Sequence, residues 1–193
     1  MLMTVCIFAA SSSRIDSEYG VVAARLGAML AGEGIDVVFG GGGIGLMRKL
    51  ADAVLENGGS IKGVIPSFMR EEGWGHEGLT EMIVTADMSE RKNIMFSMSD
   101  AVVALPGGVG TLEELTEAIT LKQLSLFDGP ILILNTLGYY NALLEFIDHM
   151  ITSNFMRFEH KGIWEVVETP EEVLSALKRK ERGSEEWRKI AKI

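Results

Sequence analysis

Apolar residues come along this chain in short unbroken runs, separated by longer stretches in which they recur at helical spacing. Residues 4–9, 35–39, 60–65, 81–85, 101–105 and 130–135 read as strands, and 163–167 as an edge strand. Between the first two, Val22, Leu26, Met29 and Leu30 mark one face of a helix that Asp16 or Ser17 caps and that Gly32 and Gly34 end. Helices are also predicted over 44–55, from Asp87 or Ser89 through Met98, from Thr111 to about Phe127, and over 139–151. Thr169-Pro170-Glu171-Glu172 opens a last helix, with a cap, a proline in the first turn and acids at the positive end. Residues 67–80, with Trp74 and His76, predict a long loop of little regular structure.

Strands alternating with helices imply βαβ units, an α/β fold and a mostly parallel sheet. The whole chain, 1–193, is expected to form one domain, with a C-terminal helix and a charged tail from about residue 169. Ligands of such sheets sit at the carboxyl ends of the strands. Three glycine-rich or polar stretches fall there: Ser11-Ser12-Ser13, the 40–45 tract, and the turn from Pro106 to Thr111.

The last of these organises the chain. Gly107, Gly108, Val109, Gly110 and Thr111 follow a buried strand and lead into a helix. Consecutive glycines let backbone N–H groups approach oxygen atoms with no Cβ in the way, and a helix start adds its positive end. The pattern predicts a phosphate cradle. Glu113, Glu114 and Glu117 follow on the helix, and Arg91 and Lys92 precede the strand. Adjacent acids diverge on a helix, so spacing alone does not choose between Glu113 and Glu114.

The 40–45 tract matches G-x-G-x-x-G but stands on the second strand, and no acid ends the next strand to hold a ribose hydroxyl. It is expected to wall the site, with Gly42 and Gly43 touching sugar or phosphate, rather than to bind a dinucleotide. No G-K-[ST] occurs, so a Walker A loop is excluded. His76, His149 and His160 are scattered and make no zinc spacing. The net charge of −9 argues against a nucleic-acid polymer as partner, and one cysteine, Cys6, allows no disulfide framework. No apolar run spans a membrane and the start lacks the pattern of a signal peptide, so a cytoplasmic protein is expected.

Pro106-Gly107-Gly108-Val109-Gly110-Thr111-Leu112-Glu113-Glu114 matches P-G-G-x-G-T-x-x-E, and Met88-Ser89-Glu90-Arg91-Lys92 precedes it. Together they resemble the Lonely Guy (LOG) family of cytokinin riboside 5′-monophosphate phosphoribohydrolases, also labelled "lysine decarboxylase-like". Gly41-Gly42-Gly43-Ile44-Gly45-Leu46-Met47, Gly63-Val64-Ile65-Pro66, Leu134-Asn135 and Tyr139-Tyr140 extend the resemblance over roughly residues 5–151. It implies a Rossmann-like, doubly wound sheet with helices on both faces, a homodimer, and no cofactor. It also implies cleavage of a purine nucleoside 5′-monophosphate to free base and ribose 5-phosphate.

By position the resemblance puts catalysis on Arg91 and Glu114. It puts substrate contacts on Lys92, on Gly108 to Glu114 and on Thr120, with Ser12 in the first loop, and a further glutamate on Glu71 or Glu72. The chain departs from the family pattern at Ala9-Ala10, Arg48 and Ser89, and near Leu121-Lys122. These changes flank the site and bear on the base more than on the reaction. Two rivals are a pyridoxal-phosphate decarboxylase, for which no lysine sits at an apolar strand end, and a non-catalytic nucleotide binder.

Overall fold

Each predicted apolar run becomes a strand. Along the chain come β1 (Thr4–Phe8), α1 (Ser17–Gly32), β2 (Asp36–Phe39), α2 (Gly45–Glu56), β3 (Ile61–Pro66), α3 (Ser67–Glu71) and β4 (Glu81–Thr85). Then follow α4 (Met88–Ser97), β5 (Ala101–Ala104), α5 (Val109–Gln123), β6 (Ile131–Leu134), α6 (Asn141–Thr152), β7 (Glu165–Val167) and α7 (Pro170–Lys178). The computed structural model describes residues 3–179; the charged tail lies outside the described residues.

The strands form one sheet in the order β4-β3-β2-β1-β5-β6-β7, and every pairing is parallel. The chain winds outward from β1 to β4, returns to the centre at β5, and winds outward the other way. Its switch point is therefore the crevice between β1 and β5, where open α/β sheets hold their ligands. Strands covered on both faces must be apolar on both, and β1 shows it: Val5 and Ile7 enter one core, Cys6 and Phe8 the other. The first core is closed by Leu26 and Leu30 of α1, Leu46 and Leu50 of α2, and Val173 and Leu177 of α7. The second is closed by Met95 and Phe96 of α4 and by Leu115, Ala118 and Ile119 of α5. Each buried Val, Leu, Ile, Met or Phe among these contributes about 1.5–3 kcal/mol. No helix among the described residues is long and apolar enough to cross a membrane.

Local chemistry sets the ends. Asp16 caps α1 by accepting from Glu18 N at 2.9 Å, and Asp87 caps α4 by accepting from Glu90 N at 2.8 Å. Thr169 caps α7 through Glu172 N at 3.3 Å. Three expectations are corrected. The 67–80 loop opens with the one-turn helix α3, too short to show apolar periodicity. Helix α5 starts at Val109, not Thr111, because Gly108 takes the cap position and Gly110 is tolerated in a first turn. Helix α6 starts at Asn141, after a 3₁₀ turn over Thr136–Gly138.

Candidate active site

Helices α4 and α5 flank β5 and aim one charged side chain each into the sheet. Arg91 Nη1 donates to Glu114 Oε1 at 2.9 Å, and Arg91 Nε donates to the Val64 carbonyl, also at 2.9 Å. Arg91 is 7% and Glu114 8% exposed, so the pair is withdrawn from water at the carboxyl end of the sheet. Such burial raises the Glu114 pKa above the ordinary 4.5; the Arg91 charge and hydrogen bond oppose the shift without cancelling it. The guanidinium is seated against Gly40, where an added Cβ would stand 2.0 Å from Nη2. That contact was not legible in the sequence, whose glycine tract pointed to Gly42 and Gly43.

Lys92, one residue on, faces the rim. It makes ion pairs with Glu113 and, at 2.7 Å, with Glu117. Burial pulls the lysine pKa down, but the two carboxylates more than offset this and the net shift is upward. Lys92 and Glu113 are thus brought together beside the catalytic candidates, but as partners of one another. Glu117, which spacing left as a solvated residue, completes the cluster.

The turn after β5 has the geometry of an anion site. The first hydrogen bond of α5 runs from Leu112 N to Gly108 O at 3.0 Å, so the N–H groups of Val109, Gly110 and Thr111 precede the ladder. Gly108 offers no side-chain cap. A Cβ added at Gly108 or Gly110 would meet nothing within 4 Å, and Val109 is 83% exposed. The backbone is open to a ligand at the positive end of a 15-residue helix.

The 40–45 loop is different. Gly43 N donates to Trp74 O at 2.8 Å, His76 N to Gly41 O at 2.9 Å, and both Leu46 N and Met47 N to Ala10 O. The loop is stitched to residues 73–78 and to the end of β1. His76 pins that connection from outside: Gly78 N donates to its Nδ1 at 3.0 Å, so Nε2 carries the proton toward Asp52 Oδ1 at 2.8 Å. Alongside runs a groove of about 520 Å³ lined by Gly43, Ile44, Arg48, Trp74, His76 and Glu77.

The remaining candidates stand apart. Ser12 is exposed beside Gly45, and its hydroxyl accepts from Arg14 N at 3.2 Å. Thr120 lies two turns down α5 from Glu113, its hydroxyl bonded to Thr116 O at 2.8 Å. Glu71 and Glu72 are both exposed at the end of α3, and nothing separates them as substrate contacts. Among the described residues, no three His, Cys, Asp or Glu side chains group to hold a metal ion.

Comparison with known proteins identifies the family and the fold. A family model described as "Possible lysine decarboxylase" matches residues 47–177. The cytokinin riboside 5′-monophosphate phosphoribohydrolase LOG1 of Arabidopsis thaliana is 44% identical over 79% of this chain and 71% of its own. LOG3 of the same plant is 41% identical over 90% and 80%. Among solved structures, the molybdenum cofactor carrier protein of Chlamydomonas reinhardtii superposes with a TM-score of 0.73 over 93% of this chain and 98% of that one. At 22% identity, that likeness speaks for the fold alone. The parallel-sheet frame, the glycine turn and the long matches to plant enzymes converge, and the chain belongs to the Lonely Guy family of cytokinin riboside 5′-monophosphate phosphoribohydrolases.

Proposed function

We propose that the protein hydrolyses the N-glycosidic bond of purine nucleoside 5′-monophosphates, cytokinin riboside monophosphates among them, releasing free base and ribose 5-phosphate. One observation carries this reading: Glu114, buried and paired with Arg91 of α4, stands on α5, the helix whose open first turn suits a phosphate. Glu114 is four residues beyond Gly110, about 6 Å along the helix axis. A ribose ring can bridge that separation, with its 5′-phosphate on the turn and its anomeric carbon near the carboxylate.

Cleavage passes through an oxocarbenium-like sugar. The Glu114 carboxylate stabilises that charge and polarises the attacking water, and Arg91 fixes the carboxylate's orientation. Lys92 balances the acids of the rim and keeps the approach from becoming uniformly negative. We assign the base to the groove beside Trp74 and Ile44, whose wall residue Gly43 belongs to the same loop as Gly40, the seat of Arg91. Exposed Val109 and Leu112 at the mouth of the site suit a homodimer in which a second copy covers the rim. The protein acts in the cytoplasm, and no cofactor enters the reaction.

The test is to incubate the protein with AMP and with isopentenyladenosine monophosphate, with Glu114→Gln alongside. Wild type releases free base, and the variant is slower by about 10²–10⁴-fold. If wild type binds AMP yet releases no base from either nucleotide, the protein is a nucleotide binder instead.

A further inference from the structure

Three consecutive carbonyls at the end of β5 are each held by a donor from elsewhere in the chain. Tyr140 Oη donates to Leu105 O at 2.6 Å, Ala10 N to Pro106 O at 3.2 Å, and Tyr139 Oη to Gly107 O at 2.6 Å. In a planar trans peptide the N–H points opposite to the C=O, and no peptide here is cis. Holding these oxygens therefore fixes the N–H directions of the residues that follow. The Leu105–Pro106 peptide has no N–H, so the Tyr140 bond only anchors the strand end. The other two peptides direct the N–H groups of Gly107 and Gly108.

Gly107 and Gly108 are adjacent glycines, the residues for which a peptide flip meets least steric resistance. A flipped Gly107–Gly108 peptide would present a carbonyl oxygen, not an N–H, to an anion. The turn that carries the tyrosines is itself built under constraint. Leu137 has φ of 54° and Gly138 φ of 71°, so a branched side chain is held in left-handed backbone. Asn135 locks the turn by accepting from Tyr140 N at 2.8 Å and donating to Asn141 Oδ1 at 2.9 Å and Glu168 Oε1 at 3.2 Å. The Tyr139 ring packs edge-on against Tyr140 and against Tyr19 of α1, with centroids 5.0 and 5.9 Å apart.

We infer that Tyr139 is a positioning residue for phosphate recognition: by holding the Gly107 carbonyl, it keeps the Gly108 N–H turned toward the 5′-phosphate of the nucleotide. This rests on the reading that the phosphate sits on the first turn of α5. Tyr139 is 45% exposed, so losing its hydroxyl leaves the core intact, whereas Tyr140 is 4% exposed.

The experiment compares Tyr139→Phe and Tyr140→Phe with wild type in calorimetric binding of AMP, adenosine and inorganic phosphate, in steady-state kinetics with AMP, and in thermal melts. Tyr139→Phe weakens AMP and phosphate binding about five- to tenfold, as loss of one aligned donor predicts. It leaves adenosine binding unchanged, raises KM and keeps kcat within about twofold, since the bond acts on uniform binding. Tyr140→Phe does the reverse: its melting temperature falls by several degrees and its phosphate affinity holds. Wild-type phosphate affinity in Tyr139→Phe, or an equal loss of phosphate affinity in Tyr140→Phe, overturns the inference. Absence of base release by wild type overturns only the hydrolase reading, because the binding arms still decide the role of Tyr139.

Discussion

The chain has two glycine-rich turns at the carboxyl edge of its sheet, and they do opposite things. After β2, glycine is needed because protein is already there. A Cβ at Gly40 would strike Arg91, one at Gly43 would lie 2.9 Å from Gly75 O, and one at Gly45 would lie 2.6 Å from backbone atoms of Ser11 and Ser12. After β5, Gly108 and Gly110 face open space, and the N–H groups around them lack helical partners. Glycine serves close packing throughout the first turn; in the second, Gly107 also packs, since a Cβ there would lie 2.1 Å from Thr111 Oγ1, while Gly108 and Gly110 leave room for a ligand. Sequence composition cannot tell these apart, because both are written as glycine tracts between a strand and a helix.

That contrast can be broken most severely at Gly45. Its φ is +67°, so alanine there adds left-handed strain to a backbone overlap, together about 3–5 kcal/mol. Gly45→Ala should lower the melting temperature by about 10 °C or more, or prevent folding. A melt within two degrees of wild type, on the scale of about 2–4 °C per kcal/mol, would show that the packed turn is not packed.

Gly40→Ala comes next. It should fold, since the obstructing atom is the end of a side chain, but it must push the guanidinium off Glu114. Activity on AMP should fall about 10²-fold, the scale of a misplacement of about 1 Å in a reacting group. Unchanged turnover would detach Arg91 from the chemistry.

The pH profile refines the same point. In the proposed reaction Glu114 works as the carboxylate, and its pKa is raised above 4.5 by burial. The acid limb of kcat/KM should therefore lie above the ordinary glutamate value, and higher still in Gly40→Ala, where the opposing Arg91 charge has moved away. Stability runs the other way. A carboxyl whose folded pKa is raised loses its contribution as pH rises from the unfolded to the folded value. As pH rises above 4.5, through the raised Glu114 pKa, kcat/KM should climb while the melting temperature falls; an acid limb at or below 4.5 would be inconsistent with a buried working carboxylate.

The mildest change is Gly110→Ala. In the first turn of α5, with nothing within 4 Å, alanine should raise the melting temperature by about 2 °C while raising KM severalfold. A gain in stability with no change in KM would place the phosphate elsewhere.

Much of this was legible in the sequence, and the parts that were not have physical reasons. The strands and their parallel order follow from short apolar runs alternating with amphipathic stretches, and all six central runs became strands. The glycine turn before Thr111 and the pair Arg91 and Glu114 stood out as motifs, the last two by family position. Spacing could not choose Glu114 over Glu113; their surroundings differ, since Glu114 is 8% exposed while Glu113 is exposed and paired with Lys92. Gly40 and Tyr139 stood in recognised motifs, but their contacts were not legible because their partners, Arg91 and Gly107, lie far along the chain. Helix α3 escaped because one turn is shorter than any periodicity can register.

The central strand carries one more consequence. Cys6 is the only cysteine of the sequence, fully buried in β1, and burial followed by the Glu114 charge pushes its thiol pKa well up. Such a thiol reacts with a labelling reagent only when the sheet opens around it. The protein therefore contains its own clock for that opening, set close to the Arg91–Glu114 pair, and the labelling rate of the native chain reads it without any added probe.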